Sequence, residues 1–312
     1  MDARVAWLRV AAALLSVLSL LAAFASGSPA SAAAPAGPAV NSGGYVALGD
    51  SYAAGPLIPN QVNVPCIRSD ENYPSLVAAS LHPASFTDVS CSGATTIDMT
   101  RSQTDVAFGT PPLPQFDALS AKTTLVTLTI GGNDIGFAGI AGTCALFSLL
   151  DPIGAPCEAH YTSGGTDQLQ AEIAATASSV GSVLAAVRRR SPNATVLVVG
   201  YPDLLPASGP GCWPLVPLAD GDVPYLNGIE QALNAMLSSE AAAHGATYVD
   251  TYTPSIGHDM CQLLGPKWIE GFLPTLPAAP LHPNEFGMQA TAADVLATLH
   301  RTASSSAKAH AG

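Results

Sequence analysis

Ser51 and His282 are the residues of this sequence whose types and surroundings best suit nucleophilic catalysis. Ser51 follows an apolar stretch and lies between Gly49 and Gly55, where a strand is predicted to turn into a helix. A serine hydroxyl is unreactive at neutral pH unless a base takes its proton, and the imidazole of His282 could be that base. Taken alone, Gly49-Asp50-Ser51 is better explained as a helix N-cap, because Asp and Ser both favour that position.

Two further segments come directly after predicted strands, in the same way as Ser51. Gly93 follows the second predicted strand, and Asn133 follows the third within Gly-Gly-Asn-Asp. The carboxyl ends of parallel strands form the edge at which open α/β sheets bind ligands. The amides of Ser51 and Gly93 and the side chain of Asn133 could together donate hydrogen bonds to an oxyanion formed in acyl transfer. Considered singly, Gly93 and Asn133 are better explained as ordinary turn residues.

Strands that alternate with amphipathic helices must position these residues. The predicted strands are apolar or β-branched-rich and end at Gly, Pro, Asp or a polar turn. They are residues 45–48, 85–90, 125–130, 195–199 and 247–249. Three helical faces follow from apolar residues at helical spacing: Leu169, Ile173, Val180, Val183 and Val187; Leu226, Ile229, Leu233 and Leu237; and Met288, Ala292, Val295 and Leu299. This alternation predicts an α/β protein in which a parallel sheet lies between helical layers.

Long loops rich in Pro and Gly are predicted at 52–72, 134–165, 201–222 and 252–281. Loops of this length usually have a function. Their apolar side chains could line an acyl pocket, or they could simply cover the core: Leu57, Ile58, Leu146, Phe147, Leu149, Leu150, Trp213, Leu215 and Val216.

The cysteines indicate disulfide bonds rather than a metal site. They are Cys66, Cys91, Cys144, Cys157, Cys212 and Cys261. An even count behind an export signal is typical of disulfides formed in an oxidising compartment, and the spacing alone leaves all pairings open. No two of them have the CxxC spacing of a zinc site, so we expect no metal.

In order and spacing, four blocks resemble those of the SGNH (GDSL) hydrolases. These blocks are Gly49-Asp50-Ser51, Gly93, Gly131-Gly132-Asn133-Asp134 and His282-Pro283-Asn284. The resemblance covers essentially the whole chain after residue 44 and implies a flavodoxin-like three-layer α/β/α sandwich with five parallel strands in the order 2-1-3-4-5. It also implies ester hydrolysis without a cofactor, and disulfides that pair Cys66 with Cys91, Cys144 with Cys157 and Cys212 with Cys261.

One position departs from the pattern of that family. The family usually carries an acid three residues before the histidine, but here Ala279 precedes His282 at that distance. We therefore expect a serine and histidine dyad in which a main-chain carbonyl, most simply that of Ala279, fixes the imidazole tautomer. Asp250, Asp259 and Glu285 are the alternative acids.

The N-terminal residues 1–36 are predicted to be a signal peptide and short linker, cleaved after Ala32. Arg4 and Arg9 precede an apolar run, residues 10–25, that is too short for a membrane-spanning helix, and small residues follow it. Residues 37–303 then form one hydrolase domain, and 304–312 form a flexible tail. We expect a secreted, extracellular monomer without a transmembrane segment in its mature part. The net charge of -12 argues against nucleic acid as a partner.

The expected activity is hydrolysis of carboxylic esters, with lipid or fatty acyl esters favoured. A carbohydrate acetylesterase is the nearest alternative, although such an enzyme would expose more aromatic stacking surface. A secreted binding protein without catalysis is the alternative from another class. The natural ester and its chain length do not follow from the sequence.

Overall fold

The computed structural model describes residues 43–106, 108–263 and 267–311, and it contains the predicted parallel sheet. The strands of this part of the chain are β1 Gly44–Gly49, β2 Gln61–Asn63, β3 Arg68–Ser69, β4 Ser85–Asp88, β5 Thr123–Thr129, β6 Thr195–Val199 and β7 Thr247–Val249. Five of them form the main sheet in the order β4-β1-β5-β6-β7, and every adjacent pair is parallel. The predicted order 2-1-3-4-5 is confirmed.

Helices cover both faces of the sheet. Within the described residues they are α1 Ser51–Ala54, α2 Tyr73–Leu81, α3 Phe137–Ser148, α4 Pro156–Thr162, α5 Gln168–Arg190, α6 Val223–Ala243, α7 Tyr252–Ser255 and α8 Glu285–Ala311. Val46 and Leu48 of β1 pack into the core with α5 and α6, whereas Tyr45 and Ala47 pack into the core with α2 and α8. Successive residues of a strand point to opposite faces, so a strand covered on both faces is apolar throughout.

The prediction of a long loop at 134–165 is wrong. This segment contains α3 and α4, which the disulfide between Cys144 and Cys157 joins. Gly139 and Gly142 lie within α3, and apolar residues occur all around this helix. The sequence therefore shows no alternation of apolar and polar residues at helical spacing. The predicted loop at 52–72 also contains structure, because β2 and β3 pair as a short antiparallel ribbon.

The remaining disulfides tie the segments around the carboxyl edge of the sheet. Cys66 is bonded to Cys91, and Cys212 is bonded to Cys261. All three bonds join the pairs that the family resemblance implies. The segment after β2 is therefore attached to the segment after β4, and the segment after β6 is attached to the segment after β7.

The predicted signal peptide and its cleavage site after Ala32 lie outside the described residues. The final helix, α8, continues to Ala311, into the segment predicted to be a flexible tail, because Ala is the strongest helix former. A helical backbone does not measure mobility, so that expectation stays a prediction. Among the described helices, none is long and apolar enough to cross a membrane.

Candidate active site

Ser51 lies at the sharp junction between β1 and α1. Gly49 has a φ of +148°, and a Cβ there would be 2.6 Å from the Thr129 carbonyl oxygen, so only glycine fits. The side chain of Gln115 bonds both the amide and the carbonyl of Gly49, at 2.8 and 2.9 Å. Asp50 then caps α1 by accepting a hydrogen bond from the Tyr52 amide at 2.9 Å. The backbone next to Ser51 is therefore fixed, because Gln115 bonds Gly49 and the Asp50 side chain bonds the Tyr52 amide.

His282 contacts Ser51 directly. Its Nε2 lies 2.7 Å from Ser51 Oγ, and its Nδ1 lies 2.7 Å from the carbonyl oxygen of Pro280. A carbonyl only accepts, so Nδ1 must carry the proton and Nε2 must present its lone pair to the serine hydroxyl. Burial lowers the pKa of His282, and its hydrogen bond to Pro280 opposes that shift in part. The imidazole is therefore neutral and placed to accept a proton at neutral pH.

The orienting carbonyl belongs to Pro280, which corrects the expectation of Ala279. The carbonyl of Ala279 accepts the main-chain N–H of His282 at 3.2 Å and so closes a turn. Leu281 has a φ of +66° in this turn. Because the Ala279 carbonyl already accepts this bond, the next carbonyl along the chain, that of Pro280, accepts the hydrogen bond from the imidazole.

The alternative acids bond elsewhere. Asp250 accepts the amides of Tyr252 and Thr253 at the start of α7. Asp259 accepts the Cys261 amide and the Gln262 side chain, and Glu285 accepts the side chain of Gln289. In the described part of the chain, none of these three carboxylates contacts His282.

The three predicted oxyanion donors come from the ends of adjacent strands. In the described part of the chain, the amides of Ser51 and Gly93 have no acceptor. Asn133 Nδ2 donates to the Ala94 carbonyl at 2.9 Å, and its second hydrogen remains for another acceptor. Asn133 and Ser51 both line one cavity, and Gly93, exposed with a φ of +82°, directly precedes Ala94.

Tyr201, which follows β6, joins the nucleophile turn to the asparagine block, and no sequence motif predicts this role. Its hydroxyl donates to Asp50 Oδ2 at 2.5 Å and accepts the Gly132 amide at 2.8 Å. Burial raises the pKa of Asp50 to about 7, although the hydrogen bonds from Tyr201 and Tyr52 oppose this shift. The only signal in the sequence was a tyrosine at the carboxyl end of a predicted strand.

Tyr52 supports the loop that carries His282, as Tyr201 supports the turn that carries Ser51. Its ring centroid lies 4.9 Å from that of His282, and its hydroxyl donates to the Leu281 carbonyl at 2.6 Å. Asp134 holds the turn beside Gly93 by accepting the Thr96 amide and hydroxyl. Asp50 and Asp134 thus bond to backbone amides and act as positioning residues.

An apolar cavity of about 180 Å³ opens beside Ser51 and His282. Its apolar walls include Ile135, Phe137, Ile140, Leu204, Leu218, Leu226, Ile229, Leu233, Met260 and Phe272. None of the loop residues predicted to line an acyl pocket belongs to it. Its walls come from the first turns of α3, from the inner face of α6 and from other residues of the loops that follow β6 and β7. Within residues 43–106, 108–263 and 267–311, no group of His, Cys, Asp and Glu could hold a metal ion.

Known proteins resemble this chain over most of its length. Residues 47–290 match the GDSL-like Lipase/Acylhydrolase family. Lipase 2 of Streptomyces coelicolor is 42% identical over 78% of this chain and 81% of its own length. The crystal structure of phospholipase A1 from Streptomyces albidoflavus is 33% identical with a TM-score of 0.67, and the match covers 82% of this chain and 98% of that one. The extracellular lipase of Streptomyces rimosus has a TM-score of 0.65 and 30% identity, with 82% and 99% covered.

The family match includes every block of the site, and all of these matches name ester-cleaving enzymes. The chain belongs to the GDSL-like lipase/acylhydrolase family, and it is a carboxylic ester hydrolase.

Proposed function

We propose that this chain is a secreted lipase or esterase in which Ser51 is the nucleophile and His282 its general base. Ser51 Oγ attacks the ester carbonyl while its proton passes to His282 Nε2. The tetrahedral oxyanion collapses to an acyl-enzyme, and the alcohol leaves with the proton from His282. Water then attacks the acyl-enzyme and gives a proton to His282. The second tetrahedral intermediate releases the acid as His282 returns that proton to Ser51 Oγ. The distance of 2.7 Å between Nε2 and Oγ is the observation that carries this proposal.

The Pro280 carbonyl takes the place that an acid has in a triad. It fixes the tautomer of His282 and continues to accept a hydrogen bond from Nδ1–H while the imidazole is positively charged. The Ser51 amide, the Gly93 amide and Asn133 Nδ2 form the oxyanion hole. The free amides of Ser51 and Gly93 and the spare hydrogen of Asn133 support this assignment, because donors that are not satisfied within the protein are available to the substrate. No step needs a metal or an organic cofactor.

Fatty acyl esters are the proposed substrates. The cavity beside Ser51 has almost only apolar walls, which suits an acyl chain rather than a sugar. The relatives of similar sequence and fold are named lipase and phospholipase A1. The predicted signal peptide with cleavage after Ala32, together with three disulfides, supports an extracellular location.

Kinetics on a series of p-nitrophenyl esters from acetate to dodecanoate test the reaction and the substrate class together. Ser51→Ala and His282→Ala should each lower kcat about 10⁴-fold or more. Ser80→Ala and His300→Ala, two exposed positions on α2 and α8, are the matched controls and should retain full activity. Strict preference for acetate would replace the lipase assignment by an acetylesterase, and no turnover of any ester would indicate a binding protein.

A further inference from the structure

Glu230 places a carboxyl group in the otherwise apolar wall that α6 contributes to the acyl cavity. Leu226, Ile229 and Leu233 of α6 line that cavity, and so does Glu230. Residues spaced three, four and seven positions apart share one helical face, so Glu230 stands where another apolar residue would complete the stripe. The other polar side chains of the lining are the catalytic groups and the residues that position them: Asp50, Ser51, Tyr52, Asn133, Tyr201 and His282. The carboxyl of Glu230 belongs to neither group.

Only one oxygen of this carboxyl is satisfied by the protein. Oε2 accepts a hydrogen bond from the Leu204 amide at 3.2 Å. Oε1 is buried and has no hydrogen-bond partner in the described part of the chain. None of the ion pairs formed within residues 43–106, 108–263 and 267–311 includes Glu230. A buried polar atom without a partner is unfavourable, so Oε1 favours a ligand that supplies one.

The oxygen without a partner carries the proton of the carboxyl. Burial raises the pKa of Glu230 well above its usual range; the bond from Leu204 opposes this shift and the charge of Asp203 adds to it. The carboxyl is therefore protonated at neutral pH. Because Oε2 accepts the Leu204 N–H, the proton lies on Oε1. Glu230 thus offers an O–H donor that no acceptor of the described residues meets.

The carboxyl lies near the catalytic groups. Leu204, whose amide bonds Glu230, lines the cavity together with Tyr52. Burial raises the pKa of Tyr52, and the neighbouring carboxyl of Glu230 raises it further. The ring of Tyr52 lies against that of His282, with 4.9 Å between the centroids. An acyl chain that is bound to Ser51 and fills this cavity therefore passes Glu230.

The chemistry of this donor identifies the type of acyl chain that it fits. A methylene group cannot accept a hydrogen bond, so a plain hydrocarbon chain leaves the O–H of Glu230 unpaired. An oxygen atom on the chain, as a hydroxyl or an ether, can accept it. A site with a buried hydrogen-bonding group discriminates against the analogue that lacks its partner, because that group is then left unpaired.

We propose that Glu230 is a specificity-determining residue that donates a hydrogen bond to an oxygen atom on the acyl chain. The enzyme then prefers acyl chains with a hydroxyl or ether oxygen to hydrocarbon chains of the same length. The inference rests on the proposed function and narrows its substrate class. The apolar side chains around Glu230 bind the methylene groups on either side of that oxygen.

A scan of ether esters tests this preference in the unmodified enzyme. The substrates are p-nitrophenyl octanoate and the analogues in which an oxygen replaces one methylene group, moved stepwise along the chain. Dividing each kcat/KM by the rate constant for alkaline hydrolysis of the same ester removes the effect of the oxygen on intrinsic reactivity. One oxygen position should raise this quotient about tenfold over octanoate. No rise at any position would show that Oε1 needs no substrate partner and would overturn the proposal.

Variants of Glu230 test whether this residue is the donor. Glu230→Leu completes the apolar stripe, so it should lose the advantage of the ether ester and hydrolyse octanoate at least as fast as the parent. Glu230→Gln keeps an N–H donor and an acceptor for Leu204, and it should retain most of the preference. Glu172→Leu removes an exposed carboxylate from α5 and is the control, which should match the parent. A preference that persists in Glu230→Leu, or that the control also loses, would contradict the assignment.

The same data separate this proposal from the proposed function. If the parent hydrolyses none of the esters, the proposed function fails. If the parent hydrolyses octanoate and prefers no ether ester, only the role of Glu230 fails.

Discussion

Two buried carboxylates support the two halves of the site, and their charges are compensated in different ways. Asp50, next to Ser51, accepts hydrogen bonds only from the Tyr201 hydroxyl and the Tyr52 amide, and no cation of the described residues pairs with it. Glu270, in the strand-like segment that pairs with the histidine loop, lies 2.9 Å from Lys267 Nζ. The Glu270 amide donates to the His282 carbonyl at 2.9 Å, so this ion pair supports the histidine through the main chain.

The two environments shift the pKa in opposite directions. Burial raises the pKa of Asp50 to about 7, and its neutral donors do not reverse that shift. Burial would also raise the pKa of Glu270, but donors from Asn284, Thr275 and Lys267 outweigh it and lower the pKa. The nucleophile half is thus held by neutral hydrogen bonds, which limit negative charge next to Ser51, whereas the histidine half is held by an ion pair.

Removing the carboxylate from the histidine half should have the largest effect on stability. Glu270→Gln leaves the Lys267 ammonium, which is 6% exposed, buried without its partner, and this should cost about 3–5 kcal/mol in free energy of unfolding. The double variant Glu270→Gln with Lys267→Met has no buried charge and should recover much of that loss. Urea unfolding measures both, and a loss below about 1 kcal/mol in the single variant would contradict an ion pair that supports the loop.

The pH dependence of stability should distinguish the two carboxylates by sign. Asp50 has a raised pKa in the folded state, so its protonated form stabilises the fold below about pH 4. This stabilisation is lost as pH rises through about 7, and the free energy of unfolding falls by up to about 4 kcal/mol. Glu270 has a lowered pKa, so its contribution is present above about pH 4 and is lost as pH falls through its folded pKa.

Unfolding free energies of the parent and Asp50→Asn across pH 4 to 8 isolate the Asp50 contribution. The difference between the two proteins should change steadily in favour of the variant as pH rises. A difference that stays constant with pH would show that Asp50 titrates as it does in the unfolded chain.

Tyr201→Phe should have a smaller effect, because it removes one neutral donor and no charge. The Gly132 amide and Asp50 Oδ2 both lose their partner, which should cost about 1–3 kcal/mol and lower kcat. Tyr225→Phe is the control, since its hydroxyl bonds the part-buried Asp167, and it should cost less than about 1 kcal/mol. An equal loss in free energy of unfolding for the two variants would show that Tyr201 does not specifically support the half of the site that carries Ser51.

The smallest effects are expected at the acids that do not meet His282. Asp250→Asn, Asp259→Asn and Glu285→Gln should each retain kcat/KM within about tenfold, because the Pro280 carbonyl occupies Nδ1. Loss of an acid that orients the histidine lowers kcat about a thousandfold or more. A loss of that size in any of the three variants would show that a carboxylate moves to His282 during catalysis.

Much of the fold followed from local sequence patterns. The strands and the three long helices were predictable, because a buried strand is a short apolar run and an amphipathic helix repeats its apolar residues at helical spacing. The order of the strands followed only from the resemblance to the SGNH hydrolases. Helix α3 was not predictable, because Gly139, Gly142 and uniformly apolar neighbours leave no periodicity. The part of the cavity wall that α3 supplies was missed for that reason.

The site was predictable only where residue types recur in recognisable blocks. Ser51, His282 and Asn133 each stand in such a block, and the structure brings Ser51 and His282 within 2.7 Å of each other. Tyr201 and Gln115 stand alone in the sequence, and their role depends on which strands become neighbours. The choice of Pro280 over Ala279 depends on the turn that contains Leu281, whose φ of +66° the residue types do not specify.

Covalent labelling with a fluorophosphonate tests the central claim most directly, because the probe reacts only with a serine that its surroundings activate. Peptide mapping by mass spectrometry should find the label on Ser51, with loss of ester hydrolysis in proportion to labelling, and His282→Ala should react much more slowly. An unlabelled Ser51 in an enzyme that still hydrolyses esters, or a label on another serine, would contradict the account.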